Sequence, residues 1–393
     1  MIHFEDTATA FQRLSNNELW RARLLFSVLA YPWLVKTGKT IIASMQKAGI
    51  SASWVVKPTV YKHFVGGETL EACKPVVERL AKYGVKSILD YSVEAIQTEE
   101  AIESVLKETL NAIQNAASHP DIPFAVFKPT AFVPHAVLDK TEHRENLSEE
   151  DKKQLDRFRD RIDILCAEAA RLEVPLLIDA EDSWYQPFID ELVEYMMKKY
   201  NRGKTIVFNT LQMYRHDRIA YLNELISRAR RESFHAGLKF VRGAYMVKER
   251  DRAIRLGYPS PIQPDKASTD RDFNKALEIA MENIDIVSIF CGTHNEESNQ
   301  LLARLIHEKG LQPDDKRIWF SQLYGMSDHI SFNLAKAGFN VAKYIPYGPV
   351  RHVMPYLFRR AEENTSVAGQ TGRELRLINK EFRRRKSTGR SKV

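Results

Sequence analysis

The sequence predicts an α/β fold: a distorted (β/α)8 barrel of the TIM type, with an α-helical N-terminal region and a final helix over the active site. Eight short β-branched or apolar runs follow one another from Gly84 onward. Apolar stripes at spacings of three and four residues lie between them, as helices require. The C-terminal ends of the runs are almost all polar, and a barrel gathers its chemistry at those ends.

Residues 1–83 lack strand alternation and contain the helical stretches Glu18 to Leu29 and Leu70 to Tyr83. The strand runs are 85–90, 124–128, 174–179, 205–209, 238–242, 285–291, 317–322 and 341–345. Of the intervening helices, the one after Ser148 is best marked. Asp151 stands at the third helical position of a capping box, and Leu155, Phe158, Ile162, Leu165, Ala169 and Leu172 form one stripe. No G-x-G-x-x-G follows any run, which argues against a dinucleotide-binding doubly wound sheet. The expected organisation is an α-helical region over 1–83, a barrel over 84–371 that binds cofactor and substrate, and a basic C-terminal tail over 372–393.

Charge supports that last division. The chain has 393 residues, with 58 Lys and Arg against 51 Asp and Glu, a net +7. From Gly372 to Val393 there are nine basic and two acidic residues, so the tail holds the whole excess. A charge-balanced body gives no reason to expect nucleic acid. The longest apolar run, Leu24 to Val35, has 12 residues and is interrupted by Pro32. It falls short of the roughly 20 that span a bilayer. The first residues resemble neither a secretory signal nor an Arg-rich transit peptide. Cys73, Cys166 and Cys291 have no metal or redox spacing, and His143, His216 and His307 no ligand spacing, so reduced thiols, no metal and a cytoplasmic location are expected. The five tryptophans, at 20, 33, 54, 184 and 319, are expected to serve packing.

Reading the strand ends in order gives Asp90, Lys128, Asp179 with Glu181, Gln212, Arg242 followed by Gly243, Ala244 and Tyr245, Thr293 with His294, Gln322 and Tyr344. Asp90 and Gln322 are expected to do no more than cap the next helices. Beyond the last strand, Tyr356, Arg359, Arg360 and Glu363 fall at i, i+3, i+4 and i+7, on one helical face. Paired guanidiniums on one face suit bidentate capture of a carboxylate.

At these residues a resemblance becomes specific. The strings LIDAED (177–182), LQMY (211–214), KFVRGAYMVKERDRA (239–253), GTHNEES (292–298), SQLYGM (321–326) and YIPYGPVRHVMPYLFRRAEEN (344–364) resemble the proline dehydrogenase family, in particular the single-activity branch that includes the mitochondrial enzymes. The resemblance runs in order from about Gly84 to Asn364. It implies a flavoenzyme that binds FAD non-covalently and oxidises L-proline to Δ1-pyrroline-5-carboxylate, the first step of proline catabolism. A hydride leaves C5 for the flavin N5, and electrons pass to a membrane quinone.

By that resemblance, Arg359, Arg360 and Lys128 hold the proline carboxylate, Tyr344 and Tyr356 pack on the ring, and Leu323 supplies an apolar wall. Glu363 pairs with an arginine of the clamp. Asp179 and Lys239 are the catalytic pair, the aspartate organising the site and linked by hydrogen bonding to Tyr344 and a neighbouring lysine. Gln212, Lys239, Arg242, Gly243, Ala244, Tyr245, Thr293 and His294 contact FAD. The bifunctional branch carries arginine where this chain has Lys239 and tryptophan where it has Met246.

Three alternatives stand beside this reading. A hydroxyproline dehydrogenase is disfavoured by Tyr344, whose bulk opposes a ring hydroxyl. An inactive barrel whose basic tail binds membrane or nucleic acid would lack flavin. A flavin barrel acting on folate would need a nicotinamide site that the sequence does not supply. The chain length leaves no room for a fused aldehyde dehydrogenase, so product is expected to leave for a separate pyrroline-5-carboxylate dehydrogenase. The tail suggests peripheral contact with an anionic bilayer at the inner face of the cell membrane.

Overall fold

The computed structural model describes residues 2–47, 53–92, 98–366 and 370–389, with the side chains at 43, 46, 47, 55, 362–366, 370 and 371 outside the description. The strands are β1 (Lys86–Tyr91), β2 (Ala125–Phe127), β3 (Leu176–Ile178), β4 (Val207–Gln212), β5 (Ala236–Val241), β6 (Val287–Gly292), β7 (Ile318–Leu323) and β8 (Val341–Tyr347). They form one eight-stranded sheet in the order β1-β8-β7-β6-β5-β4-β3-β2, with parallel ladders, the topology of the (β/α)8 class. Every predicted run has become a strand.

Helices of nine residues or more, numbered along the chain, are α1 (Asn16–Leu29), α2 (Pro32–Lys47), α3 (Leu70–Ala81), α4 (Glu99–Ser118), α5 (Glu149–Arg171), α6 (Gln186–Tyr200), α7 (Arg218–Glu232), α8 (Met246–Leu256), α9 (Lys266–Glu282), α10 (Glu296–Glu308), α11 (Asp328–Lys336), α12 (Val350–Ser366) and α13 (Gln370–Ser387). The predicted capping box opens α5: Asp151 N–H donates to Ser148 Oγ at 3.1 Å, and Ser148 N–H donates to Asp151 Oδ2 at 2.9 Å. The caps of α4 and α11 fall at Thr98 and Ser327, while Asp90 accepts from Ser92 Oγ and Gln322 from Ser331 Oγ.

Compactness groups the chain differently from its composition. One unit runs from Ala95 to Ser321, and a second combines Ile2–Glu94 with Gln322–Val393.

In the first unit an aromatic plug closes the N-terminal side of the strands. The Phe124 ring meets Phe208, Phe290 and Trp319 edge-on at centroid distances of 5.6, 5.2 and 5.3 Å. Phe208 and Phe290 come from β4 and β6 and Phe124 immediately precedes β2, so alternate strands fill one layer of the interior. Polar groups are thereby left to the C-terminal ends.

The second unit packs the apolar faces of three helices together. Leu19, Phe26 and Leu29 of α1, Val353 and Leu357 of α12, and Leu377 and Ile378 of α13 belong to one buried cluster. The segment read as a basic tail is therefore helical over Gln370–Ser387, and five of its cations are held in ion pairs within the protein. Arg373, Arg376 and Lys380 converge on Glu5, while Arg384 and Arg385 bind the fully buried Glu381. Arg390 and Lys392 lie outside the described residues.

The packing expected of the tryptophans holds for Trp319 and for Trp184, which stacks under Arg252 with the guanidinium carbon 4.4 Å from the ring centroid. It fails for Trp20, Trp33 and Trp54, which are 55%, 65% and 73% exposed. Spacing shows that a helix has an apolar face without showing that anything covers it.

Candidate active site

In the first unit the polar residues at the strand C-termini form two linked groups. Lys239 of β5 donates from Nζ to Asp179 Oδ1 at 2.5 Å, with side-chain exposures of 7% and 14%. Asp179 follows β3 and is fixed by its own N–H, which donates to Phe127 O at 3.0 Å. Burial strengthens such a pair and makes it costly to break.

Arg242, just past β5, donates from all three guanidinium nitrogens. Its Nε donates to Asp270 Oδ1 at 2.7 Å, Nη1 to Thr293 Oγ1 at 2.5 Å and Nη2 to Ser298 Oγ at 3.0 Å. Its planar face lies on Phe273, the guanidinium carbon 4.4 Å from the ring centroid. Helices α9 and α10 thus hold the arginine rigidly. Sequence reading missed Asp270 and Ser298, since nothing in their spacing ties them to Arg242.

Gln212 at the end of β4 donates from Nε2 to Glu181 O at 2.9 Å, while its Oε1 is buried with no hydrogen-bond partner among the described residues. Gly243 has φ +123°, and a Cβ there would meet the Tyr214 ring at 2.5 Å, so only glycine lets the chain turn over that ring. Tyr214 N–H in turn donates to Arg242 O at 2.8 Å. Thr293 accepts from Asn295 N–H at 3.1 Å, and half-buried His294 sits between them, immediately before α10.

The carboxyl of Glu181 is another feature to which the strand-end pattern assigns no role. Burial pushes it up to about 7, against hydrogen bonds from Thr130 and the positive charge of Lys128. Thr130 donates to its Oε2 from N at 3.2 Å and from Oγ1 at 2.7 Å. Lys128, half-buried at the end of β2, therefore belongs to the same electrostatic neighbourhood as Glu181.

In the second unit, Tyr344 on β8 is 7% exposed, and its carbonyl accepts from Tyr324 N–H at 2.9 Å. On α12, Tyr356 and Arg360 are buried, Arg359 is half-buried, and the Arg360 guanidinium carbon lies 5.0 Å from the Tyr356 ring centroid. The i, i+4 pair is thus a cation–π contact that presets one arginine. Leu323 at the end of β7 is partly buried against the helical cluster. The side chain of Glu363 lies outside the described residues.

A buried charge group underlies this part of the second unit. Arg13 and Lys343 contact Asp328 at 2.7 and 3.0 Å, and the Lys343 side chain is 0% exposed. Lys343 also donates to Met326 O. It immediately precedes Tyr344, so the charge group fixes the strand that carries this tyrosine.

A parallel (β/α)8 sheet with ion pairs and a glycine turn gathered at the strand C-termini is the arrangement of a barrel enzyme. The comparisons with known proteins make it particular. The proline dehydrogenase family profile matches residues 73–373. The chain belongs to the proline dehydrogenase family and is an oxidoreductase acting on proline.

It is similar to proline dehydrogenase 1, mitochondrial, of Dictyostelium discoideum, at 30% identity over 97% of this chain and 74% of that protein. It is also similar to carbapenem antibiotics biosynthesis protein CarD of Pectobacterium carotovorum, at 35% identity over 82% of this chain and 83% of the other. Among solved structures, proline utilization A from Bdellovibrio bacteriovorus matches with a TM-score of 0.71 at 20% identity, which shows the common fold. That match covers 93% of this chain and 37% of the larger protein.

Proposed function

We propose that this protein oxidises L-proline to Δ1-pyrroline-5-carboxylate with FAD bound at the C-termini of β4, β5 and β6, and that its electrons pass to a membrane quinone. The observation that carries the reading is Gln212: a buried amide oxygen with no hydrogen-bond partner among the described residues, beside a glycine turn and an immobilised arginine. A buried acceptor is costly unless a ligand donor completes it. The flavin ring N–H is such a donor, so these residues fit the cofactor.

Gln212, Lys239, Arg242, Gly243, Ala244, Tyr245, Thr293 and His294 are the residues assigned to FAD. Bound there, it supplies the acceptor for the hydride that leaves proline C5.

The remaining chemistry belongs to side chains of this chain. Arg359, Arg360 and Lys128 are assigned to the substrate carboxylate, and a clamp of this kind fixes the ring in one orientation. Tyr344, Tyr356 and Leu323 exclude water around the ring. Asp179 keeps the Lys239 ammonium in place. Glu363 is assigned to the arginine clamp. The product is free to pass to a separate pyrroline-5-carboxylate dehydrogenase.

The direct test is spectroscopic. The purified protein should be yellow, with the oxidised-flavin band at about 450 nm, and L-proline should bleach it under anaerobic conditions. Turnover should favour L-proline over trans-4-hydroxy-L-proline. A colourless protein after reconstitution with FAD, or a preference for the hydroxylated substrate, would overturn the assignment.

A further inference from the structure

Thirteen large apolar side chains are exposed on the described surface, and seven of them fall between residues 20 and 54. Trp20, Leu24, Val28 and Tyr31 are 55%, 52%, 42% and 57% exposed. At about 100° per residue the first three occupy a single narrow arc of α1, and Tyr31 follows just beyond the end of that helix. The opposite arc of α1 carries the buried Leu19, Ala22, Phe26 and Leu29. Helix α1 therefore has two apolar faces, one on the core and one in water.

Helix α2 repeats the pattern. Trp33 and Ile41, eight residues apart, are 65% and 55% exposed, while Val35, Ile42 and Met45 pack against the buried cluster. Trp54 adds a third exposed indole on the short helix Ser53–Val56. Scattered single exposures are ordinary on a protein surface, but an ordered stripe is not.

The charge around the stripe selects its occupant. From Asn16 to Phe64 there are seven Lys and Arg and one acidic residue, Glu18, which is itself bound by Arg79. Arg21, Arg23 and Lys36 are exposed beside the aromatic residues. A second copy of the same face would set like charges together. An anionic lipid surface would complement the cations and accept the indole rings at headgroup level. Among the described residues no helix is long and apolar enough to cross a membrane, so a helix binding there lies on the surface.

We propose that the exposed face of α1 and α2, centred on Trp20, Leu24, Trp33 and Ile41, is the surface by which this protein lies on an anionic phospholipid bilayer. This deepens the membrane-quinone reading and moves the lipid contact away from α13, five of whose cations are held in ion pairs with Glu5 and Glu381.

The experiment uses the full-length, FAD-loaded protein and phosphatidylcholine vesicles with and without phosphatidylglycerol, read by co-sedimentation. Wild type should bind only the anionic vesicles. The variant Trp20→Ser/Leu24→Ser/Trp33→Ser should lose about tenfold or more in partitioning, while keeping proline-dependent reduction of a soluble dye and its circular dichroism spectrum. The control Arg383→Gln/Lys386→Gln should bind as wild type does.

Unchanged partitioning of the triple-serine variant overturns the proposal, as does loss of binding in the control. It is overturned too if wild type ignores anionic vesicles, or if the serine substitutions abolish only a concentration-dependent self-association. Dye reduction is read separately, so its absence would count against the proline reading and leave the lipid result intact.

Discussion

The residues that matter most carry charge in places where charge is costly. Lys239 and Asp179 lie 60 positions apart in sequence and meet at 2.5 Å with little solvent around them. Removing the cation by Lys239→Ala should lower unfolding stability by about 3 kcal/mol, while Lys239→Arg should recover most of it. Denaturant titration of the loaded protein measures both, and equal stability of the two variants would mean the pair has no structural weight. Glu181 makes a prediction of opposite kind. Its ordinary value of 4.5 is raised to about 7 by burial, so the folded state keeps a proton that the unfolded state has released. The associated stability is complete below the unfolded value and is lost as pH rises toward the folded one. Glu181→Gln should therefore flatten the fall in unfolding midpoint between about pH 5 and pH 8. An identical pH slope in the variant would assign that fall to other groups. The Lys239–Asp179 pair was anticipated only through the family resemblance, and the Thr130–Glu181 contact not at all, because strand-end position does not tell which side chains meet once the strands are folded.

At the scale of elements, the reading of the strands succeeded for a physical reason. A parallel sheet covered by helices buries both faces of each strand, so its strands appear as continuous β-branched and aromatic runs. Helix partners are less legible, because amphipathic spacing marks a face and says nothing of its neighbour. The C-terminal segment is the clearest case. Glu374, Leu377, Ile378, Glu381 and Arg385 fall at i, i+3, i+4, i+7 and i+11, and the first four are buried. Leu375, Leu377, Ile378 and Phe382 mark the segment as amphipathic in the sequence, but the burial of its two glutamates is not legible there, since their partners, Ser327 N–H and the arginines of the same helix, emerge only on folding. Leu377 is 0% exposed within the cluster that also holds Phe26 and Leu357. Leu377→Ala should cost about 2–4 kcal/mol, the usual range for emptying a packed leucine site. A loosely held tail would lose next to nothing, so thermal unfolding of this one variant distinguishes the two pictures.

The order of the chain and its compact units do not coincide, and this governs how the molecule folds. The second unit is assembled from residues 2–94 and 322–393, so its core requires contacts spanning more than three hundred positions. Arg13 and Asp328, 315 apart, are both nearly buried, and Lys343 has no exposed side-chain surface. Burial works against the Asp328 charge, yet Arg13 and Lys343 hold its carboxyl far below the ordinary range. The same group stripped of Arg13 would keep a buried lysine and aspartate with one favourable partner fewer. Phe26, Val353 and Leu377 would likewise lose neighbours if either end of the chain were missing. The segment 84–371, which composition marks as a catalytic domain, is therefore predicted not to fold alone. Expressed by itself it should be insoluble, or should unfold without a cooperative transition and bind a hydrophobic dye. Adding residues 1–83 should not suffice, because α13 also contributes to the core, whereas the full chain should unfold cooperatively. Long-range closure of this kind also predicts slow refolding. A sharp two-state transition from fragment 84–371, with proline-dependent flavin bleaching intact, would show that the barrel needs neither end and that the buried Arg13–Asp328–Lys343 group is dispensable to it.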